Sequence, residues 1–304
     1  MKKQTGFTLI ELMISIGLGL IIVASALLLF LSGQRNVAVQ KSAADLQDDQ
    51  NFGLNYIAKN IRQANLNSPS ASLSSTSNLS GIVFSSANIS DKVTLDPNFA
   101  TKFVTANLGA SNMQIKNGIS YADAVNDQLV IQYKPIETGG YDCSGRLIDR
   151  TDIYILERYF IRTDANGGGA DAERSALACA SSRYAADLTT ATALESTSTS
   201  GLYGSGEIIM KRVDLFRVRF LVDGKRYMTV AQYNASTAKP RILAVQLGII
   251  ARAPDKSSER SISTAQEFTL FGQTFTQKTD FPNRYLRVPI MQTVALRNAL
   301  GDRS

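Results

Sequence analysis

Gly6-Phe7-Thr8-Leu9-Ile10-Glu11, continuing as LMISIGLGLIIVASALLLFL to Leu31, is the stretch on which the rest of the chain depends. From Phe7 to Leu31 it holds one charge, Glu11, in 25 residues. At about 1.5 Å per residue a helix of that length crosses a hydrocarbon core of roughly 30 Å with room to tilt. The sequence therefore predicts a membrane helix. Glu11 is its anomaly, because an ionised carboxylate in a hydrophobic helix costs roughly 2.5 to 3.5 kcal/mol on insertion scales, less near the helix end. A carboxylate in that position calls for a partner.

Upstream lies a short basic leader, Met1-Lys2-Lys3-Gln4-Thr5-Gly6. A secretory signal peptidase needs its small-residue site after the apolar run, not before it, so the helix is expected to be retained. A cut between Gly6 and Phe7 leaves an α-ammonium four residues before Glu11. The ammonium of one such helix and the Glu11 carboxylate of a neighbour would partly offset each other's burial, which makes Glu11 a registration device between like helices. Taken alone, a hydrophobic run after two lysines also fits an ordinary anchor whose glutamate snorkels to the interface.

The ordered residues Gly6-Phe7-Thr8-Leu9-Ile10-Glu11 before an uninterrupted apolar run resemble the class III signal of type IV pilins and pseudopilins. The resemblance covers residues 1 to 66 directly. It implies that a prepilin peptidase cuts after Gly6 and methylates the new N-terminal Phe7, with Glu11 used in assembly. Many major pilins carry a proline in the later half of this helix, whereas here Gly17 and Gly19 are the only helix-weakening residues before Gly33.

The chain has 304 residues, and removing the anchor leaves about 270, enough for one large domain or two small ones. Loss of Lys2 and Lys3 on cleavage lowers the basic count from 32 to 30 against 26 acidic residues, a net +4. So mild a charge does not argue for a nucleic-acid groove. There is no histidine, which removes the commonest general base, the commonest metal ligand and every Ser-His or Cys-His nucleophile arrangement. Lys2 and Lys3 precede the apolar run and argue for a cytoplasmic N-terminus with an exported body. In an exported body the two cysteines, Cys143 and Cys179, favour a disulfide over a redox or zinc site. Such a bridge encloses 35 intervening residues, and chain-entropy arithmetic gives its closure roughly 4 kcal/mol.

Beyond Gly33, Val39, Ala43, Leu46, Leu54, Ile57, Ile61 and Ala64 form an apolar stripe at helical spacing. Joined to the membrane segment it predicts one rod from about Thr8 to Leu66, its second half lying on a sheet. Residues 67 to 81 read as a polar linker, with Pro69 excluding helix. Residues 82 to 126 predict loops and short strands, and Gln128–Tyr133 and Ile153–Ile161 predict strands. From Thr163 to Gly206 the Gly, Ala, Ser and Thr content predicts a long excursion with little to bury. Asp214 to Tyr233 reads as a β-hairpin around Asp223-Gly224, with Phe216, Val218, Phe220 and Val222 on one face and Arg217 and Arg219 on the other. Arg241–Arg252 predicts a central strand, and Phe268–Phe275 and Tyr285–Val294 two more.

Other constellations carry less. Asp164, Asn166, Asp171 and Glu173 alternate in a glycine-rich loop as calcium ligands do, but position 175 is serine where an EF-hand has its glutamate, which favours a solvated loop. No lysine follows Gly204-Ser205-Gly206, so no nucleotide site is inferred, and no cofactor or metal is expected. Arg212, Arg217, Arg219, Lys225 and Arg226 cluster on the hairpin, where outward charge usually keeps an edge soluble; a DNA contact is the rival reading.

The fold expected is α+β, a long N-terminal helix packed on an antiparallel sheet. Its parts are a leader over 1–6, a transmembrane helix over 7–33, an amphipathic continuation over 34–66 and a β-rich head over 67–304 holding a disulfide-closed insertion. The ending Thr293-Val294-Ala295-Leu296-Arg297-Asn298 adds a resemblance to PilW-type minor pilins. That resemblance implies a non-enzymatic subunit that helps to prime pilus assembly in a tip complex. Its partners would be other minor pilins, the major pilin, prepilin peptidase, the inner-membrane assembly machinery and a large tip adhesin. The body would be periplasmic before assembly and at the cell surface afterwards. A J-type pseudopilin of a type II secretion system is the alternative within the family. A singly anchored envelope adhesin or enzyme is the alternative outside it.

Overall fold

The computed structural model describes residues 8–108, 124–167, 174–187, 189–195, 201–256, 266–278 and 285–299. Helix α1 runs Leu9–Ile61, 53 residues or about 80 Å. From Leu9 to Lys41 it is exposed on every side. Only from Ser42 does one stripe become buried, through Leu46, Gln50, Gly53, Leu54, Ile57, Ala58 and Ile61, at the three- and four-residue spacing of a helix face. Val39, expected in that stripe, is exposed.

The helix also stops five residues short of the expected Leu66. Asn65 takes a left-handed backbone, φ 64, which asparagine tolerates better than most residues. Its N–H donates to Gln132 O at 3.1 Å, and its Oδ1 accepts from Gly81 N–H at 3.0 Å. The sheet thus competes for the backbone groups that another helical turn would use.

The head contains two larger antiparallel sheets. In sheet I, β1 (Ala106–Leu108), β2 (Asn126–Tyr133), β3 (Ile153–Thr163), β4 (Ser175–Ala185) and β5 (Glu207–Lys211) lie side by side in chain order. Sheet II has β6 (Val213–Val222), β7 (Arg226–Thr229), β8 (Ile242–Lys256) and β9 (Tyr285–Ala295), in spatial order β7-β6-β8-β9. Arg212, at φ 59, turns the chain from one sheet into the other.

Both sheets face α1. Leu46, Leu54, Ile57 and Ile61 share one core with Leu129, Tyr159, Ile161 and Leu177 of sheet I and with Phe216, Phe220, Val245, Leu247 and Val294 of sheet II. Gly53 is what lets β5 approach, since a Cβ there would lie 2.3 Å from the Met210 methyl and 3.3 Å from its Cβ. The seam between the sheets is closed by side chains. β7 covers only the Arg219–Val222 end of β6. Along the uncovered end, Phe216 N–H donates to Asn126 Oδ1 and Val218 N–H to Asp127 Oδ2, both at 2.7 Å. Two side chains of β2 thereby replace a missing strand's acceptors.

Four expectations need correction. The excursion from Thr163 to Gly206 contains β4, an interior strand of sheet I buried along nearly its whole length. Its alanines are small for a reason, because Ala176, Ala178 and Ala180 pair with Arg162, Phe160 and Arg158 of β3. Bulk on one strand is matched by its absence on the next. The hairpin's second strand ends at Thr229, not Tyr233, because Thr229 and Gln232 form a capping box that starts the helix Val230–Ala235. Phe268–Phe275 is a small hairpin, Glu267–Leu270 paired with Gln273–Thr276. It places Leu270 and Phe275 over Leu215 and Ile250, on the face of sheet II away from α1. The stretch 67 to 81 is more than a linker, since Leu73 and Leu79 are fully or nearly buried.

Candidate assembly site and its support in the head

At the start of α1, Thr8 is the N-cap and Glu11 the third helical residue, and the two form a reciprocal capping box. Glu11 Oε2 accepts from Thr8 N–H at 3.0 Å and from Thr8 Oγ1 at 2.9 Å, while Thr8 Oγ1 accepts from Glu11 N–H at 3.4 Å. The box fixes where the carboxylate points. Ser15 and Ser25 return their hydroxyls to Glu11 O and Ile21 O, at 2.7 and 2.8 Å, so neither leaves an unpaired polar group in the apolar segment. Around them Leu9, Leu18, Leu28 and Phe30 are each more than half exposed. Among the described residues one helix is long and apolar enough to cross a membrane, and this is it. Gly6 and Phe7, the expected cleavage and methylation positions, lie outside the described residues.

Far along the chain, Cys143 and Cys179 are joined by a disulfide. It ties the loop after β2 to β4, and beneath it lies a polar cluster that sequence reasoning did not identify. Glu157, fully buried, accepts from Cys143 N–H at 2.9 Å, Tyr133 Oη at 3.2 Å and Tyr159 Oη at 2.5 Å. Tyr159 Oη in turn accepts from Asn60 Nδ2 of α1 at 3.1 Å. The last helical turn is therefore wired through Tyr159 and Glu157 to the disulfide-bearing loop. Burial pushes the Glu157 carboxyl up to about 7, against the hydrogen bonds from Tyr159, Cys143 and Tyr133 that favour its charge. The signal was present in Ile155, Glu157, Tyr159 and Ile161, which alternate on one face of β3, so Glu157 had to be inside.

Among the described residues, three buried carboxylates, Asp142, Asp127 and Asp214, are each paired with arginine. Arg183 donates to Asp142 Oδ2 at 2.9 Å, and Asp142 Oδ1 also accepts from Ser144 and Arg146 N–H groups. Asp127 meets Arg217 at 3.3 Å across the seam; burial raises its carboxyl to about 6, with Arg217 opposing the rise. Asp214 takes Arg287 at 2.8 Å and Arg252 at 3.4 Å.

These pairings change the reading of the basic cluster. Arg217 is held by Asp127, Arg212 pairs with Asp49 of α1, and Arg219 lies over the rings of Tyr227 and Phe271 at 4.2 and 4.5 Å. Three of the five basic residues are thus used inside the head rather than presented as a stripe. Of the glycine-rich loop, Asp164 and Asn166 line a cavity whose wall also carries Arg174, Lys211, Arg212 and Arg252, surroundings that repel a calcium ion. Asp171 and Glu173 lie outside the described residues.

Residues 1–27 match the family described as the prokaryotic N-terminal methylation motif. Residues 158–298 match the family described as Type IV Pilus-assembly protein W. No curated protein matches the chain. Among solved structures, a type IV-like pilin from Thermus thermophilus is similar at 14% identity, covering 57% of this chain and 78% of that one with a TM-score of 0.31. With a prepilin motif at its N-terminus, an apolar helix for membrane anchoring and a body similar over residues 158–298 to the PilW family, the chain is type IV pilin-like and most similar to PilW-type minor pilins.

Proposed function

We propose that this protein is a minor pilin of the type IV pilus and that it primes pilus assembly as part of a small complex of minor pilins that ends at the pilus tip, with no reaction of its own. Prepilin peptidase cuts between Gly6 and Phe7 and methylates Phe7, while the helix holds the protein in the inner membrane with its head in the periplasm. The Glu11 carboxylate then registers the helix against the ammonium of a neighbouring subunit, the major pilin adds below, and the head selects partners, a large tip adhesin among them. The observation that carries the proposal is the division of α1: Leu9 to Lys41 is uncovered on every side and holds one oriented carboxylate, while from Ser42 onward one face is buried in the head. A surface so apolar needs lipid first and other helices afterwards.

Labelling sheared pili with gold-tagged antibody to the head tests it. Label at one end of each filament, with few or no pili on cells lacking the protein, is the expected result. Label spaced along the shaft, or normal piliation without the protein, contradicts the proposal.

A further inference from the structure

At the corner where Arg212 turns the chain from sheet I into sheet II lies a cavity of about 310 Å³. Among the described residues, its wall carries four cationic side chains, Arg174, Lys211, Arg212 and Arg252, together with Ser175 and one carboxylate, Asp164. These groups come from sheet I, sheet II and the turns at their ends. Arg212 is fixed from the helix side by Asp49, and its Nε is buried without a hydrogen-bond partner. Arg252 is fixed from sheet II, where it meets Asp214 at 3.4 Å and lies over the Tyr285 ring at 4.8 Å. Asp164 is occupied in its own loop, accepting from Asn166 N–H at 3.0 Å, and Lys211 stands 4.0 Å from it at the open rim.

We propose that this cavity binds a tetrahedral oxyanion of the phosphate or sulfate class, which joins α1, sheet I and sheet II at one point. Guanidinium forks match the oxygen geometry of such anions, and lysine adds a point charge at the mouth. Because Arg212 and Arg252 are already held by Asp49 and Asp214, little side-chain freedom is lost when the anion arrives. The volume is larger than the anion alone requires, so a phosphomonoester fits as well as the free ion. Phosphate of a lipid headgroup is the other source of the same chemistry. Asp49, which marks the level of the cavity on α1, lies 18 residues beyond Leu31, about 27 Å along a helix. That distance favours a soluble anion over the bilayer surface.

The test uses the full-length protein in neutral detergent, its unfolding followed by circular dichroism in sodium phosphate or in sodium chloride of equal ionic strength. Phosphate should raise Tm by about 3 to 5 °C and saturate in the millimolar range. Lys211→Gln and Arg174→Gln should lose most of that rise. Phosphorus NMR of the anion gives the same answer independently of stability: its line should broaden with the wild-type protein and stay narrow with both variants. An equal rise in chloride, or an undiminished response in both variants, overturns the proposal. A rise with hexaglutamate where phosphate gives none also overturns it, in favour of an acidic protein partner. Repeating the measurement in phosphatidylcholine discs with and without phosphatidylglycerol separates the two sources. A lipid-dependent rise that the variants lose supports the oxyanion site and assigns it to headgroups; no lipid dependence, with the free-phosphate response intact, supports it and assigns it to a soluble anion.

Discussion

Replacing Glu157 by glutamine should remove a pH dependence that the buried cluster imposes on the head. Glu157 is fully buried, and burial carries its carboxyl from 4.5 to about 7. The folded protein therefore holds this proton more tightly than the unfolded chain does. Its contribution to stability is complete below pH 4.5 and is lost as pH rises through about 7. At about 1.36 kcal/mol for each tenfold change in proton affinity, the loss is on the order of 3 kcal/mol. Asp127, raised from 3.8 to about 6, acts with the same sign in a lower window. In a chain of this size such a loss corresponds to a fall in Tm of about 6 to 12 °C. The assay is thermal unfolding of the full chain in detergent at pH 5 and pH 8, for wild type and Glu157→Gln. The wild type should be the less stable at pH 8. The variant mimics the protonated acid, keeps an acceptor for Cys143 N–H, and should show a drop smaller by roughly the Glu157 share. Equal wild-type stability at both pH values, or the same drop in the variant, would refute this account of the cluster.

Two further outcomes rest on the same region. Cys143→Ser with Cys179→Ser, or reduction of the native protein, should cost about 4 kcal/mol in denaturant unfolding, and non-reducing peptide mass mapping should show the joined pair disappear. Asp142→Ala removes the buried partner of the Arg183 guanidinium, which is 1% exposed and keeps, among the described residues, only Asp149 and the Arg146 carbonyl; it should cost at most about 3 to 5 kcal/mol, whereas the exposed pair of Arg150 with Asp152 should be worth less than about 1 kcal/mol when broken by Asp152→Ala.

What could be read from the sequence followed from periodicity. The apolar run and the stripe through Leu46, Leu54, Ile57 and Ile61 gave α1, and strict alternation in Phe216, Val218, Phe220 and Val222 gave β6 and its buried face. β4 was illegible because SALACASSRYA is buried on both faces yet built from small residues, so it has neither alternation nor bulk and looks like a low-complexity loop. Its neighbours supply the missing volume, and nothing local says so. The ion pairs were hidden for a different reason: Asp142 and Arg183, or Asp127 and Arg217, are brought together only by the folded sheets. The helix after Thr229 had a local signal, since Thr229-Val230-Ala231-Gln232 has the capping-box spacing. At the assembly site Glu11 stood out by charge alone; its pairing with Thr8 needed the helix geometry.

The central claim is that Glu11 serves assembly rather than anchoring, and Glu11→Ala tests it most directly. An apolar side chain is easier to place in lipid than a carboxylate, and the helix remains long enough to span. The measurement is the amount of variant in sheared pili relative to the amount in the membrane, each normalised to wild type, with the mature N-terminus checked by mass. Membrane abundance and cleavage should be at least normal, while the pilus-to-membrane ratio falls severalfold and cells carry fewer pili. A wild-type ratio with full piliation would contradict registration by Glu11 and leave α1 as a plain membrane anchor.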